Sequence, residues 1–242
     1  MRWIYISPHL DDAVFSAGGL IHDQARAGAA VEVWTLFCGV PQGGETSAFA
    51  QTLHAQWGFR SAEETVGARR AEDRRALKIV GAGAAHFDFL DCVYRRGADG
   101  KWLYAESAFA PPHADDASLP GKIALALAGR LAPDDEIACP LAIGGHVDHV
   151  LARRAVEALG RPLWYFADFP YLAANPSALE MTGRAMPAER RAVSWRGLDA
   201  WARAAASYES QVSMEFESPG KLKWSIFAHG FWGVRLWRRV PA

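Results

Sequence analysis

The opening of the chain constrains its fold more than any other stretch. Trp3-Ile4-Tyr5-Ile6 is a short apolar and aromatic run that stops at Ser7-Pro8, a break that a buried strand tolerates only at its end. Residues 14–27 follow as a predicted helix, with Val14, Ala17, Leu20 and Ile21 near helical spacing and Gly28 as the stop. Residues 31–37 are a second apolar run of strand length. Strand, helix and strand in this order form a βαβ unit, which favours a parallel sheet covered by helices on both faces.

The alternation continues along the chain. Residues 62–80 read as a charged helix ended by Gly81, 85–90 as a third strand, and 122–131 as a helix. A strand at 135–139, a helix at 147–159 and a fifth strand at 163–166 follow. Residues 40 to about 63 and 94–121 read as long loops, and such loops in compact domains are usually functional or disordered. The last part reads as a helix over 198–211 and a final hairpin over 224–237. The expectation is one domain over 1–242. Its fold class is α/β: a Rossmann-like, doubly wound, mostly parallel sheet with extra C-terminal structure. Ligands of such sheets sit beyond the carboxyl ends of the strands. The two long loops are therefore expected to line the mouth of the site.

Half of the 242 residues are hydrophobic, enough to bury a sizeable core, so global disorder is excluded. The 26 basic and 27 acidic residues give a net charge of −1, which leaves no electrostatic footprint for nucleic acid. No apolar run reaches membrane-spanning length, and the first residues do not resemble a signal peptide, so no membrane partner is expected. Cys38, Cys92 and Cys139 are scattered and odd in number, which suits a reducing cytoplasm better than a disulfide framework.

Two polar clusters follow strand ends. Ser7-Pro8-His9-Leu10-Asp11-Asp12 follows the first, and Gly144-Gly145-His146-Val147-Asp148-His149 follows the fourth. Asp11 and Asp12 could simply cap the following helix. However, His9 and Asp12 are spaced to point at one spot in a turn entering a helix, and His146 and His149 share a helical face. Together the clusters offer three His and Asp ligands for one divalent ion, leaving a carboxylate and a histidine for proton transfer and stabilisation. His22, His54, His86, His113 and His229 have no ligand-like spacing. Trp57, Trp102 and Tyr104 lie in the long loops near the expected mouth, where aromatic rings offer a flat apolar face to a ligand.

Ser-Pro-His-Leu-Asp-Asp-Ala with a later His-Val-Asp-His resembles the LmbE/PIG-L family of zinc-dependent N-deacetylases. Arg69 and Glu72, Asp91, and Ser210-Gln211 resemble further family positions. Leu10 and Ala13 depart from the family's usual proline and glutamate, and Gly144 stands where thiol-pathway members carry tyrosine. The two motifs with Ala167-Asp168-Phe169-Pro170-Tyr171 look closer to the glycopeptide-pathway branch.

The resemblance implies that His9, Asp12 and His149 bind zinc, with iron or cobalt able to use the same ligands. It makes Asp11 the general base, and His146 the group that stabilises the tetrahedral intermediate or protonates the leaving amine. Arg69 and Asp91 become substrate-binding candidates. The implied function is hydrolysis of an N-acyl, chiefly N-acetyl, group on a small-molecule amino sugar. A metal-dependent hydratase on the same site and a non-catalytic carbohydrate-binding protein are the alternatives.

Overall fold

The computed structural model describes residues 1–174, 177 and 186–240. The strands are β1 (Arg2–Ser7), β2 (Ala30–Thr35), β3 (Gly83–His86), β4 (Glu136–Pro140), β5 (Leu163–Phe166), β6 (Ala188–Arg191) and β7 (Val234–Arg239). They form one sheet in the order β3-β2-β1-β4-β5-β7-β6. The first five are parallel, and β7 runs antiparallel to both of its neighbours. The strand order reverses between β1 and β4, which makes that gap the crevice where such sheets bind ligands.

The strands are apolar on both sides because both sides are covered. Trp3 and Tyr5 of β1 join one core, with α1 (Asp12–Arg26), α7 (Trp195–Ala205) and α9 (Pro219–Gly230). Ile4 and Ile6 join the other, with α4 (Leu119–Ala128) and α5 (Val147–Glu157). Helix α3 (Ala62–Val80) has the predicted bounds, with Ser61 capping its start and Gly81 ending it at φ 79°.

Five expectations change. The first long loop holds a helix, α2 (Ala48–Gln56), capped by the Ser47 side chain. Strand β3 is shorter and begins two residues earlier than read, and α4 begins at Leu119 because Pro120 fits a helix's first turn. The single late helix is two, α7 and α8 (Glu209–Phe216). The final hairpin is instead α9 followed by β7. Leu222, Ile226 and Gly230 are buried at four-residue spacing, as one helical stripe requires. β7 pairs with the distant β5 and β6 rather than with a local strand.

Trp201 of α7 is fully buried in a socket built by glycines. A Cβ on Gly18, Gly19 or Gly230 would lie 2.6, 2.7 or 2.5 Å from its ring. Gly230→Ala is therefore expected to destabilise the protein by about 1–3 kcal/mol through overpacking, against the small gain that helix propensity alone predicts. The denaturation midpoint reads the sign, and a stabilised variant would show that the socket has slack.

Candidate metal centre and active-site cleft

Beyond β1 the chain is knotted into a tight turn. Ser7 Oγ donates to the His9 carbonyl (2.6 Å) and accepts from the Ala13 N–H (3.0 Å). Asp11 and Asp12 stand at the start of α1, where the helix dipole favours carboxylates. Beyond β4, Ala142, Gly144 and Gly145 turn the chain with φ of 60°, 90° and 76°. This delivers His146 as the cap of α5, with its Nδ1 accepting from the Asp148 N–H (3.2 Å), and places His149 one turn inside.

The crevice brings the two clusters together. Asp12 Oδ2 lies 3.2 Å from His9 Nδ1 and 3.3 Å from His149 Nε2. His9, His146 and His149 offer ring nitrogens within 4.8 Å of one another. Behind each of two histidines stands a buried carboxylate. His9 Nε2 meets Asp148 Oδ2 at 3.1 Å, and His149 Nδ1 meets Asp168 Oδ1 at 2.6 Å. These contacts leave His9 Nδ1 and His149 Nε2 facing Asp12. His149 Nε2 is buried and has no hydrogen-bond partner, an orphan that needs an explanation. Donors about 2.0–2.2 Å from a tetrahedral ion stand roughly 3.3–3.6 Å apart, so the Asp12–His9 and Asp12–His149 separations suit two donor pairs around a divalent ion.

The electrostatics favour a cation. Burial opposes charge on His149, yet the Asp12 and Asp168 carboxylates outweigh it and hold the ring up at about 9. Burial, with the neighbouring His9 and His149, keeps His146 well below its usual range and neutral. Burial and the Asp12 carboxylate push Asp11 up to about 7, against the pull of Arg69 and His9. Asp148 is buried too, but Arg95 and His9 hold it ionised far below the usual carboxylate range. Arg95 Nη1 donates to Asp148 Oδ1 (2.6 Å) and Arg95 Nε to Asp116 (3.0 Å), so Asp148 is fully engaged and is no spare base.

Asp11 turns away from Asp12, and its Oδ2 accepts from Arg69 Nη2 (3.2 Å). Arg69 is buried over the Trp57 ring, 4.8 Å from its centroid, and is not a solvated helix charge. Glu72 is engaged elsewhere: it accepts from the Ser210 N–H (2.9 Å) and Ser210 Oγ (2.6 Å), and Gln211 donates to that Oγ. Asp91 accepts from the Val93 N–H (3.1 Å) and lies 3.7 Å from His9 Nε2.

One cleft opens onto His9, Asp11, Asp12, His146, Arg69 and Asp91. Both long segments line it, the first through Phe49, Leu53 and Trp57 and the second through Ala108 and Phe109. Trp102 and Tyr104 do not line it. Trp102 packs under Arg96, and Tyr104 is buried with its hydroxyl on Asp116 (2.7 Å). Three partners went unassigned in the sequence: Asp168 behind His149, Arg95 behind Asp148, and Tyr171 in the cleft wall. Asp168 and Tyr171 had two usable signals, their place just beyond the fifth strand and the Ala167-Asp168-Phe169-Pro170-Tyr171 stretch that resembles the glycopeptide-pathway branch.

A doubly wound sheet with His and Asp donors at its switch point, and a further carboxylate beside them, defines a hydrolase-type centre. The GlcNAc-PI de-N-acetylase (PIG-L) family matches residues 4–159, and the chain belongs to that family. It is 32% identical over 176 residues to 2'-N-acetylparomamine deacetylase of Streptomyces fradiae, an alignment spanning 70% of this chain and 57% of that protein. The chain thus matches little more than half the length of that relative. It resembles the zinc-inhibited form of teicoplanin deacetylase Orf2, with 28% identity, a TM-score of 0.85 and coverage of 100% and 99% of the two chains. It also resembles the A40926 pseudoaglycone deacetylase Dbv21, with 28% identity, a TM-score of 0.75 and coverage of 100% and 98%. Among the described residues no helix is long and apolar enough to cross a membrane.

Proposed function

We propose that this protein is a metal-dependent hydrolase that removes the N-acetyl group from an amino sugar carried on a larger conjugate. The observation that carries this reading is the orphaned His149 Nε2 facing Asp12 and His9, beside an Asp11 that is aimed at the cleft. His9, Asp12 and His149 would hold the ion, zinc by the chemistry of its nitrogen and oxygen donors. When bound, the ion polarises the acyl carbonyl and acidifies a water molecule.

The chain's own residues do the rest. Asp11 takes the proton of the attacking water, held in place by Arg69. His146 is neutral with Nδ1 accepting from the backbone, so its Nε2 carries the hydrogen and donates to the developing oxyanion. Asp11 then returns the proton to the leaving nitrogen. Arg69 and Asp91 line the same cleft beside this centre and would contact the sugar. A purely carbohydrate-binding protein has no use for the Asp11–Arg69 pair beside a metal centre. The three cysteines, all buried and unpaired, suit a reducing cytoplasm.

The test joins metal analysis of the purified protein to an amine-release screen across N-acyl amino sugars. Metal-replete protein that frees no amine from any of them would sink the reading. The titrations add a prediction with a sign. Without metal, His149 keeps its proton up to about pH 9, so at neutral pH an ion must displace it. Metal binding should release protons, and occupancy should fall as pH falls. Metal content after dialysis at stepped pH checks this, and occupancy independent of pH would remove His149 from the ligand set.

A further inference from the structure

Tyr171 enters the cleft as the first residue of α6 (Tyr171–Ala174), just past the segment after β5 that carries Asp168. Its ring stands edge-on to His149, with centroids 5.6 Å apart, and edge-on to Phe109, at 6.0 Å. Phe109 also meets the His146 ring edge-on, at 5.4 Å, and His146 lies 5.1 Å from His149. Tyr171 and His146 therefore share one side of the cleft, under Phe109. Asp11, Arg69 and Trp57 form a second contact group lining the same cleft, and the Asp12 and Asp11 carboxylates lie within electrostatic reach of the Tyr171 phenol.

Two features mark the tyrosine as placed for use. Its hydroxyl makes no hydrogen bond to any described residue, whereas Tyr5, Tyr94, Tyr104, Tyr165 and Tyr208 all engage theirs. The Gly144 turn is also shaped around its ring. A Cβ at Gly144 would lie 3.1 Å from Tyr171 Cγ and Cδ1, in a backbone conformation that already favours glycine. A partially buried phenol usually finds a partner, and one left free at the lip of a polar site is a donor waiting for a ligand oxygen.

We infer that the Tyr171 hydroxyl is a further catalytic group, donating a hydrogen bond to the acyl oxygen as that oxygen becomes anionic; this rests on the deacetylase reading above. With Asp11 delivering the attack from one side, the acyl oxygen turns to the His146 side. There Tyr171 is the second donor of a two-donor oxyanion site. No bond to Tyr171 forms or breaks, and the proton stays on its oxygen.

The experiment compares the full-length wild type with Tyr171→Phe, using fluorogenic amine detection on 4-methylumbelliferyl N-acetyl-β-D-glucosaminide. Binding of the matching methylphosphonamidate, a tetrahedral anionic analogue, is measured by calorimetry, and metal content on the same preparations. Phenylalanine keeps the ring against Gly144 and His149, so only the hydroxyl is lost. The expected result is a fall in kcat of about 10²–10³-fold with KM and metal content unchanged, and a parallel loss of analogue affinity. An active wild type with unchanged kcat and analogue affinity in Tyr171→Phe overturns the inference and leaves the deacetylase reading standing. Loss of metal in Tyr171→Phe shows a structural role and overturns it as well. A wild type that frees no amine and does not bind the analogue overturns both.

Discussion

His149→Ala should strip the ion from the protein and abolish amine release while the fold survives. The side chain is fully buried, its Nδ1 is held by Asp168, and its Nε2 makes no hydrogen bond and has only the 3.3 Å approach to Asp12, itself in the proposed ligand set, so a purely structural role accounts for only half of the ring. Loss of a group behind a metal ligand typically costs about 10–100-fold in affinity or activity, and loss of the ligand itself should exceed that. Asp168→Asn, which keeps the shape but weakens the hold on Nδ1, should fall within that lower range. Far-UV circular dichroism and Tm on the same preparations separate loss of metal from loss of fold. Full metal occupancy in a folded His149→Ala protein would refute the ligand assignment.

The second large effect separates binding from chemistry. Asp11→Asn should keep the metal and lower turnover by about 10²–10⁴-fold, because an amide cannot take a proton from water at neutral pH. The loss should sit in kcat, since proton transfer belongs to the transition state. Asparagine starts a helix about as well as aspartate, and its side-chain oxygen can still accept from Arg69. A capping role therefore predicts little change in rate or Tm. Unchanged kcat in the metal-replete variant would move the base elsewhere. Asp148, locked between Arg95, His9 and the Cys92 N–H, is a poor substitute, whereas Glu215 lines the same cleft without a hydrogen bond to any described residue.

The site was more legible than its supports. His9, Asp11, Asp12, His146 and His149 stood out because they follow strand ends and carry metal and proton chemistry in residues close in sequence. Arg69 was ambiguous, since a charged helix looks the same whether a given arginine faces water or a cleft. Its burial against Trp57 depends on where α2 lies, and α2 itself was hidden in a stretch read as loop. Phe49, Leu53 and Trp57 do fall at four-residue spacing, but too few turns surround them for the period to stand out.

What the sequence determined alone is what local periodicity and residue chemistry can carry. The alternation of two-sided apolar strands with amphipathic helices leads to a doubly wound sheet, and Gly81 marks the end of α3. The tertiary structure decided everything that depends on partners far along the chain. It chose helix and strand over hairpin at the C-terminus, because the apolar pattern of β7 is satisfied by β5 and β6 rather than by a near neighbour. It also aimed the rings. His9 is turned by a carboxylate 139 residues away, and His149 by one 19 residues on, beyond the next strand. A ring's free nitrogen is whichever one its hydrogen-bond partner leaves over, and that partner exists only once the sheet has brought the strand ends together.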